Sequence, residues 1–193
     1  MERERELTEQ KLINALGELI EEKGFEKVGV NVVAERAGVS KMLIYRYFKS
    51  LDGLIYEYIK RHDFWINASS ELPSFPELNQ YLKNMFREEI AQFRENITLK
   101  RLRRWELSSS HPVVVSIREK REEKGQQMIR MVSKLSEMPQ KDLAAVSSLI
   151  NAGITYLVLL EDNCHIYNGI NIQTDEGWEQ IARGIDILID LLY

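Results

Sequence analysis

The spacing of apolar residues predicts a chain built from helices. Over most of the 193 residues, apolar positions recur at intervals of three and four, which is the period of an amphipathic helix. The four prolines all lie beyond residue 72 and mark helix boundaries, because proline is tolerated in the first turn of a helix and not in its middle. We predict nine helices and no convincing strand, with helices at about 7–23, 30–37, 41–48, 51–68, 76–95, 97–109, 112–137, 139–164 and 174–192.

The second and third predicted helices have the form of a helix-turn-helix. Gly38 lies between them, where a positive φ can end a helix sharply, and Gly29 and Ser40 stand at the expected N-cap positions. Four basic residues and no acidic one occur from Arg36 to Lys49. A short helix, a glycine turn and a basic second helix indicate a DNA-binding motif whose second helix enters the major groove. A surface hairpin with incidental charge is the alternative.

The same stretch resembles the tetracycline-repressor (TetR) family of bacterial regulators over roughly residues 7–60. The resemblance implies an all-α protein with an N-terminal three-helix DNA-binding domain and a C-terminal helical bundle that dimerises and usually binds a small molecule. We place the helix-turn-helix domain at 1–50, with its motif helices at about 30–48, and the effector-binding and dimerisation domain at 51–193. The matching residues are Val33-Ala34, Ala37-Gly38-Val39-Ser40-Lys41, Tyr45-Arg46-Tyr47-Phe48 and Leu54, with Ile13, Ala15, Leu19, Gly24 and Phe25 upstream.

The candidate DNA contacts lie at the start of the second helix, along the third helix and just beyond it. Two bulky apolar residues, Met42 and Leu43, replace the small or hydroxyl residues that are usual in the family, which predicts apolar contact with thymine methyl groups. The full set is Asn31, Ser40, Lys41, Met42, Leu43, Tyr45, Arg46, Tyr47 and Lys49.

Two further departures from the family pattern concern phosphate contacts. Gly29 replaces the usual Thr or Ser and offers no hydroxyl, so Asn31 is expected to supply that contact. Leu51 stands where the family often has a phosphate-binding lysine. Either Lys49 or the backbone N–H groups at the start of the fourth helix would then take over this contact.

Charge and composition are compatible with a DNA-binding protein. The chain has a formal net charge of −4, yet an acidic protein binds DNA when its positive charge is focused on one face. Cys164 is the only cysteine, so no intrachain disulfide is possible. The first residues lack an apolar signal region and no apolar run approaches ~18 residues, which predicts a cytoplasmic protein with no membrane segment.

Enzyme function is not expected. The three histidines (His62, His111 and His165) are far apart and lack the spacing of metal ligands. The chain has no glycine-rich phosphate loop and no nucleophile motif. We therefore predict no catalytic residue, no metal and no cofactor.

The last two helices predict a homodimer interface. Residues 143–160 are apolar over most of a helix circumference and need more than one buried side. Two such helices from each subunit would form a four-helix bundle, and a two-fold dimer would place two recognition helices on DNA half-sites. A core within one chain is the alternative. The candidate interface residues are Ala145, Leu149, Ala152, Trp178, Ile181, Ile185 and Leu188.

The effector pocket is predicted from large aromatic residues of the middle helices, since such residues often line pockets in a helical bundle. Each could equally be plain core. The basic run from Lys100 to Arg104 could attract an anionic effector, form a salt link to the DNA domain, or be a solvated helix face. The candidates are Trp65, Tyr81, Phe86, Arg104, Trp105 and Tyr156.

Two functions fit these features. The first is a homodimeric repressor that binds a palindromic double-stranded operator and is released by a small-molecule effector. The second is a DNA-bound scaffold, for chromosome organisation or division control, that acts through a protein partner. Activation in place of repression stays open within the first.

Overall fold

The computed structural model describes residues 2–62 and 72–192, and within these ranges it is almost entirely helical. The predicted all-α class is confirmed. Beyond His62, the predicted end of the fourth helix at residue 68 lies outside the described residues. The helices are α1 (Glu2–Lys23), α2 (Val30–Ala37), α3 (Met42–Phe48), α4 (Leu51–His62), α5 (Phe75–Glu95), α6 (Ile97–Ser108), α7 (Pro112–Ser136), α8 (Gln140–Leu160) and α9 (Asp175–Asp190), with a short 3-10 turn at Phe25–Lys27.

The described residues group into two compact units. The first contains residues 2–62 and 97–121, and the second contains residues 72–96 and 122–192. The first unit therefore joins α6 and the start of α7 to the four N-terminal helices, a wider grouping than residues 1–50. The division into a DNA-binding domain at 1–50 and an effector-binding and dimerisation domain at 51–193 stays a prediction.

The core of the first unit is built on one face of α1. Leu12, Leu16 and Leu19, spaced four and three residues apart, are completely or almost completely buried. The core is closed from the other side by α6, where the ring of Trp105 stacks on Phe25 with centroids 4.9 Å apart and planes inclined by 4°. Stacked aromatic pairs stabilise a core beyond the area they bury.

A close crossing and a polar link connect α1 with α4. A Cβ on Gly17 would lie 2.9 Å from the ring of Tyr58, so only glycine fits here without movement. The Tyr58 hydroxyl lies 3.1 Å from the hydroxyl of Thr98 in α6, and Thr98 donates to a carboxylate oxygen of Glu21 at 3.5 Å. Burial raises the pKa of Tyr58, and the hydrogen bond with Thr98 partly opposes this rise.

In the second unit, α5 packs on α8 and α9, and a ladder of ion pairs joins α5 to α9. Lys83, Arg87 and Arg94 follow one another along α5, and each binds carboxylates at 2.5–2.8 Å. Long-range pairs of this kind fix the register of two helices without adding to the apolar core. The partners in α9 are Asp190 for Lys83, Glu179 and Asp186 for Arg87, and Asp175 for Arg94.

A small hairpin between α8 and α9 corrects the expectation that the chain has no strand. Strand β1 (Ile166–Tyr167) pairs antiparallel with β2 (Ile170–Asn171). The turn residues Asn168 and Gly169 have φ values of 50° and 83°, as a two-residue type I′ turn requires. An Asn-Gly pair between apolar residues is a hairpin signal that the helix-based interpretation overlooked.

Helix α8 corrects a second expectation, that no apolar run approaches membrane length. The segment 143–160 contains no charged residue, and by length and composition alone α8 could cross a membrane. Its apolar segment is 22% buried within the chain. One face, with Leu143, Ile150, Ile154 and Val158, is buried in the second unit. The opposite face is exposed and includes Leu149, whose surface is 74% accessible.

Candidate DNA-binding interface

The turn between α2 and α3 has the geometry that the sequence predicts. Gly38 adopts a left-handed conformation (φ 65°, ψ 34°) and its N–H reaches the carbonyls at the end of α2. Gly29 is the N-cap of α2, as expected. Helix α3 begins at Met42 with Lys41 as its N-cap, which corrects the expectation that Ser40 is the N-cap. The Ser40 carbonyl accepts from the N–H of Leu43 at 3.0 Å, so the turn that starts at Ser40 leads directly into α3.

The outer face of α3 is open and basic. Met42 is 63% exposed and Tyr45 is 47% exposed, and Lys41 and Arg46 are also exposed. Ile44 points the other way and is completely buried. Because one helix face is anchored in the core, the opposite side chains are presented together on a rigid support, as a recognition helix requires.

The start of α2 contributes to the same face. The ammonium group of Lys41 donates to the side-chain oxygen of Asn31 at 3.4 Å, and both residues are exposed. This contact brings Asn31 beside the first turn of α3. An amide and an ammonium group so arranged can both reach phosphate oxygens of one DNA strand.

Leu43 and Tyr47 are placed differently from the other candidates. Both are half-buried and pack against the core of the first unit. The guanidinium groups of Arg5 and Arg46 lie 5.5 Å and 5.9 Å from the centre of the Tyr47 ring. The Leu43 side chain therefore supports α3 from within, and its contact with a thymine methyl group stays a prediction.

The connection from α3 to α4 carries the last candidate, Lys49. This exposed residue has φ 69° and ψ −35°, and its N–H donates to the Tyr45 carbonyl at 3.1 Å. A positive φ is rare for a residue with a side chain, and it is found where surrounding contacts impose it. Leu51 packs against the core, which explains how α4 can begin with a leucine in place of a lysine.

The turn into α4 is also sterically tight. The Ser50 hydroxyl accepts from the N–H of Gly53 at 3.0 Å and so caps the helix. A Cβ on Gly53 would lie 2.0 Å from the carbonyl oxygen of Phe48. This packing leaves little freedom around Lys49 and accounts for its unusual backbone conformation.

Arg36 does not belong to the basic face. Its guanidinium binds both carboxylate oxygens of Glu22 at 2.8 and 2.9 Å and one oxygen of Glu18 at 3.1 Å. The hydrogen bond from Arg36 holds the pKa of Glu22 below its ordinary value. Of the four basic residues that the sequence groups together, Lys41, Arg46 and Lys49 therefore supply the charge of the interface.

The predicted pocket residues are divided between the two units. Trp105 and Arg104 are in the first unit, whereas Tyr81, Phe86 and Tyr156 are in the second, and Trp65 lies outside the described residues. Arg104 is exposed, and Phe86 is buried. Trp105 is part of the core through its stacking on Phe25, and Tyr156 is exposed on α8. The pocket role of all six residues stays a prediction.

The predicted interface residues divide into exposed and buried sets. Ala145, Leu149, Ala152 and Leu188 are exposed, and Ile181 is half-buried. Trp178 and Ile185 are buried within the second unit, a placement that departs from their predicted role. The indole N–H of Trp178 donates to the Glu161 carboxylate at 2.9 Å and to the Ile172 carbonyl at 2.8 Å. Apolar spacing found the buried stripe of α9 but could not tell the chain's own core from a partner.

The comparisons with known proteins agree with this geometry. Residues 12–58 match the sequence model of the family described as bacterial regulatory proteins, tetR family. This segment runs from the middle of α1 to the middle of α4 and contains the whole helix-turn-helix. No curated protein matches the chain.

Solved structures with the same fold cover nearly the whole chain. A TetR family transcription regulator from Marinobacter aquaeolei VT8 has a TM-score of 0.66 at 16% identity and covers 98% of each chain. Salmonella enterica GusR has a TM-score of 0.58 at 16% identity, covering 96% of this chain and 94% of its own. A TetR family protein from Vibrio parahaemolyticus has a TM-score of 0.55 at 19% identity, covering 92% and 95%.

These findings confirm the resemblance to the TetR family: the chain has the fold of a TetR-family transcription regulator, with a DNA-binding helix-turn-helix domain at its N-terminus. The family match rests on residues 12–58. The solved structures extend the fold to the C-terminal helices.

Proposed function

We propose that this protein is a homodimeric, cytoplasmic repressor that binds a palindromic operator and is released from it by a small-molecule effector. The observation that carries the proposal is the open face of α3, on which Lys41, Met42, Tyr45 and Arg46 are exposed together while Ile44 anchors the helix. A basic face on a rigid recognition helix fits the major groove of DNA.

In this proposal, different residues contact the DNA phosphates and the base edges. Lys41, with Asn31 beside it, and Lys49 at the other end of α3 bracket the helix and would hold the DNA backbone. Met42, near the start of α3, would contact a thymine methyl group, because the N-terminal residues of a recognition helix reach the base edges. Arg46 is the candidate for contact with guanine.

The dimer would use the exposed faces of α8 and α9. On α8 this face includes Ala145, Leu149 and Ala152, where the two alanines permit close helix approach. On α9 it includes Leu188, which is 45% exposed. Burying such a surface against a second copy would remove it from water, and two-fold symmetry would pair the two recognition helices with two half-sites.

Release by an effector would act through α4. This helix starts next to Lys49 and continues to the buried Tyr58, whose hydroxyl meets Thr98 of α6. A shift of α6 against α4 would move the DNA-binding end of the unit. The effector is a small molecule of undefined chemistry, and its binding would disfavour the arrangement of recognition helices that fits the operator.

The salt dependence of operator binding tests the phosphate contacts. Lys41→Ala should weaken binding and reduce the slope of log K against log salt by about 0.9, the value for one phosphate contact. Lys134→Ala is the matched control, since Lys134 is an exposed lysine of α7 outside the first unit. If Lys41→Ala and Lys134→Ala have the same slope, Lys41 does not contact a phosphate.

The base contact has its own test. Met42→Ala should lose about 1 kcal/mol of discrimination at one thymine position. Replacing that thymine by uracil in the operator should reproduce the loss with the unchanged protein and have no further effect on the variant. Equal affinity of the unchanged protein for both operators would exclude the methyl contact.

A further inference from the structure

The β1–β2 hairpin presents apolar side chains to solvent on a rigid support. Ile166 is 55% exposed and Tyr167 is 37% exposed. Two-residue strands have little stability alone, because an isolated hairpin of this size is marginal in water. The contacts at the base of the hairpin are therefore the reason that it is held in one conformation.

Those contacts tie the hairpin to the start of α9. Ile172, which follows β2, is completely buried, and its carbonyl accepts from the Trp178 indole. A Cβ on Gly177 would lie 1.9 Å from the carbonyl oxygen of Asn171, so α9 and the hairpin are in direct backbone contact. The Ile172 N–H donates to the His165 carbonyl at 3.0 Å and closes the hairpin base.

The hairpin is also continuous with the exposed face of α8. The rings of Tyr156 and Tyr167 meet edge to face, with centroids 5.8 Å apart. Tyr156 follows Leu149 and Ala152 at helical spacing on the same exposed side of α8. Helix face and hairpin therefore form one surface, defined by Leu149, Ala152, Tyr156, Ile166 and Tyr167, which we call the α8–hairpin surface.

We propose that the hairpin is part of the self-association surface, so that Ile166 and Tyr167 pack against a second copy of this chain. The inference rests on the dimer of the proposed function and adds a segment that the last two helices alone do not supply. A second copy is the occupant that the charge pattern favours. Residues 143–160 and 163–173 contain no charged side chain, and of the two acids between them Glu161 is buried and Asp162 is exposed. The five residues that define the α8–hairpin surface are all uncharged, so two copies of them can meet around a two-fold axis without like-charge repulsion.

Burial supports the same occupant. Only 22% of the apolar segment of α8 is buried in its own chain, and an exposed apolar surface of this kind marks an interaction site. Tyrosine is enriched at the energetically important positions of protein interfaces. A rigid hairpin also loses little conformational entropy when it is buried by a partner.

The test is the dimer dissociation constant of the full-length protein, measured by sedimentation equilibrium. The double variant Ile166→Ser with Tyr167→Ser should raise this constant by about tenfold or more, because both copies lose the contact. The matched control is Leu107→Ser, which removes a 74% exposed apolar side chain of the first unit and should leave the constant unchanged. The far-ultraviolet circular dichroism spectrum should be unchanged in the double variant, so that loss of association is not loss of folding.

A second variant separates this inference from the dimer itself. Leu149→Asp places a charge on the exposed face of α8 and should give a monomer. If the unchanged protein is a dimer, Leu149→Asp is a monomer and the hairpin variant keeps the original constant, the hairpin inference is wrong and the proposed dimer stands. If the unchanged protein is a monomer up to about 100 μM, both are overturned.

Discussion

Lys49 is the position at which DNA binding and folding stability should respond in opposite directions. Its backbone has φ 69° and ψ −35°, a conformation that a side chain disfavours and glycine tolerates. Its ammonium group is exposed at the end of the recognition helix. Replacement by glycine therefore removes a positive charge that would contact a DNA phosphate, and it also relieves the backbone strain that lowers the stability of the folded protein.

The two effects have different magnitudes. A residue with a side chain in such a conformation costs about 1–3 kcal/mol, whereas the greater flexibility of glycine in the unfolded chain offsets about 0.5–1 kcal/mol of that gain. Lys49→Gly should stabilise the protein by about 1 kcal/mol. The loss of one phosphate contact should reduce the slope of log K against log salt by about 0.9.

Lys49→Ala is the matched variant, because it removes the same charge and keeps the Cβ that causes the strain. Urea unfolding at fixed protein concentration, followed by circular dichroism, compares the stabilities of the three proteins. Titration of labelled operator DNA at several salt concentrations compares the slopes. We expect both variants to have the reduced slope, and only the glycine variant to unfold at higher urea.

Each half of the reasoning can fail separately. Equal unfolding midpoints for Lys49→Gly and Lys49→Ala would show that the backbone of Lys49 stores no strain. An unchanged salt slope in both variants would remove Lys49 from the phosphate contacts. The start of α4, with Leu51 in the core, would then have to hold the phosphate through its backbone N–H groups.

The remaining predictions concern the packing and ion pairs of each unit. Gly53→Ala should lower the free energy of unfolding in urea by about 2–3 kcal/mol, because its Cβ would lie 2.0 Å from a backbone oxygen. Gly125→Ala, whose Cβ would have nothing within 4 Å, should raise the free energy of unfolding by about 1 kcal/mol. Equal effects of the two variants would contradict the steric account. The pKa of Glu22 is lowered in the folded protein, so this carboxylate stabilises the fold above its ordinary pKa of 4.5, and the benefit is lost as the pH falls through the lowered pKa. Glu22→Gln should therefore make the free energy of unfolding depend less on pH over that acidic range. An unaltered pH profile would argue against the ion pair with Arg36. Arg87→Met removes two of the ion pairs between α5 and α9 and should lower the free energy of unfolding by about 1 kcal/mol at low salt and by less at high salt. A loss of stability that does not depend on salt would indicate that Arg87 acts through packing and not through charge.

Helix positions and the DNA-binding motif could be predicted because their signals are local. The apolar stripe of α1 and the glycine at position 38 depend on residues within a few turns of one another, and the structure has both. Side-chain pairing could not be predicted in the same way. Arg36 is neutralised by Glu18 and Glu22, and the ladder of α5 reaches acids about 100 residues further along the chain. Sequence spacing carries no information about such contacts.

The C-terminal unit shows the limit of apolar periodicity. Trp178 and Ile185 share a helix with the exposed Leu188, and all three are apolar. A hydrophobic stripe indicates which side chains are buried, but it does not show whether they are buried within their own chain or against a second copy. The hairpin was missed for another reason: each strand has two residues, too few for an alternating pattern, although Asn168-Gly169 gave a signal of its own.

The central claim is that a dimer of this chain reads a palindromic site with two copies of α3. The most direct measurement is selection of bound fragments from the source genome with purified protein at fixed salt, followed by footprinting of the selected site. We predict a short palindrome upstream of one or a few operons, with two protected half-sites separated by one or more helical turns. Many dispersed sites would contradict the repressor proposal in favour of a DNA-bound scaffold, and the absence of any preferred sequence at moderate salt would contradict operator recognition by α3.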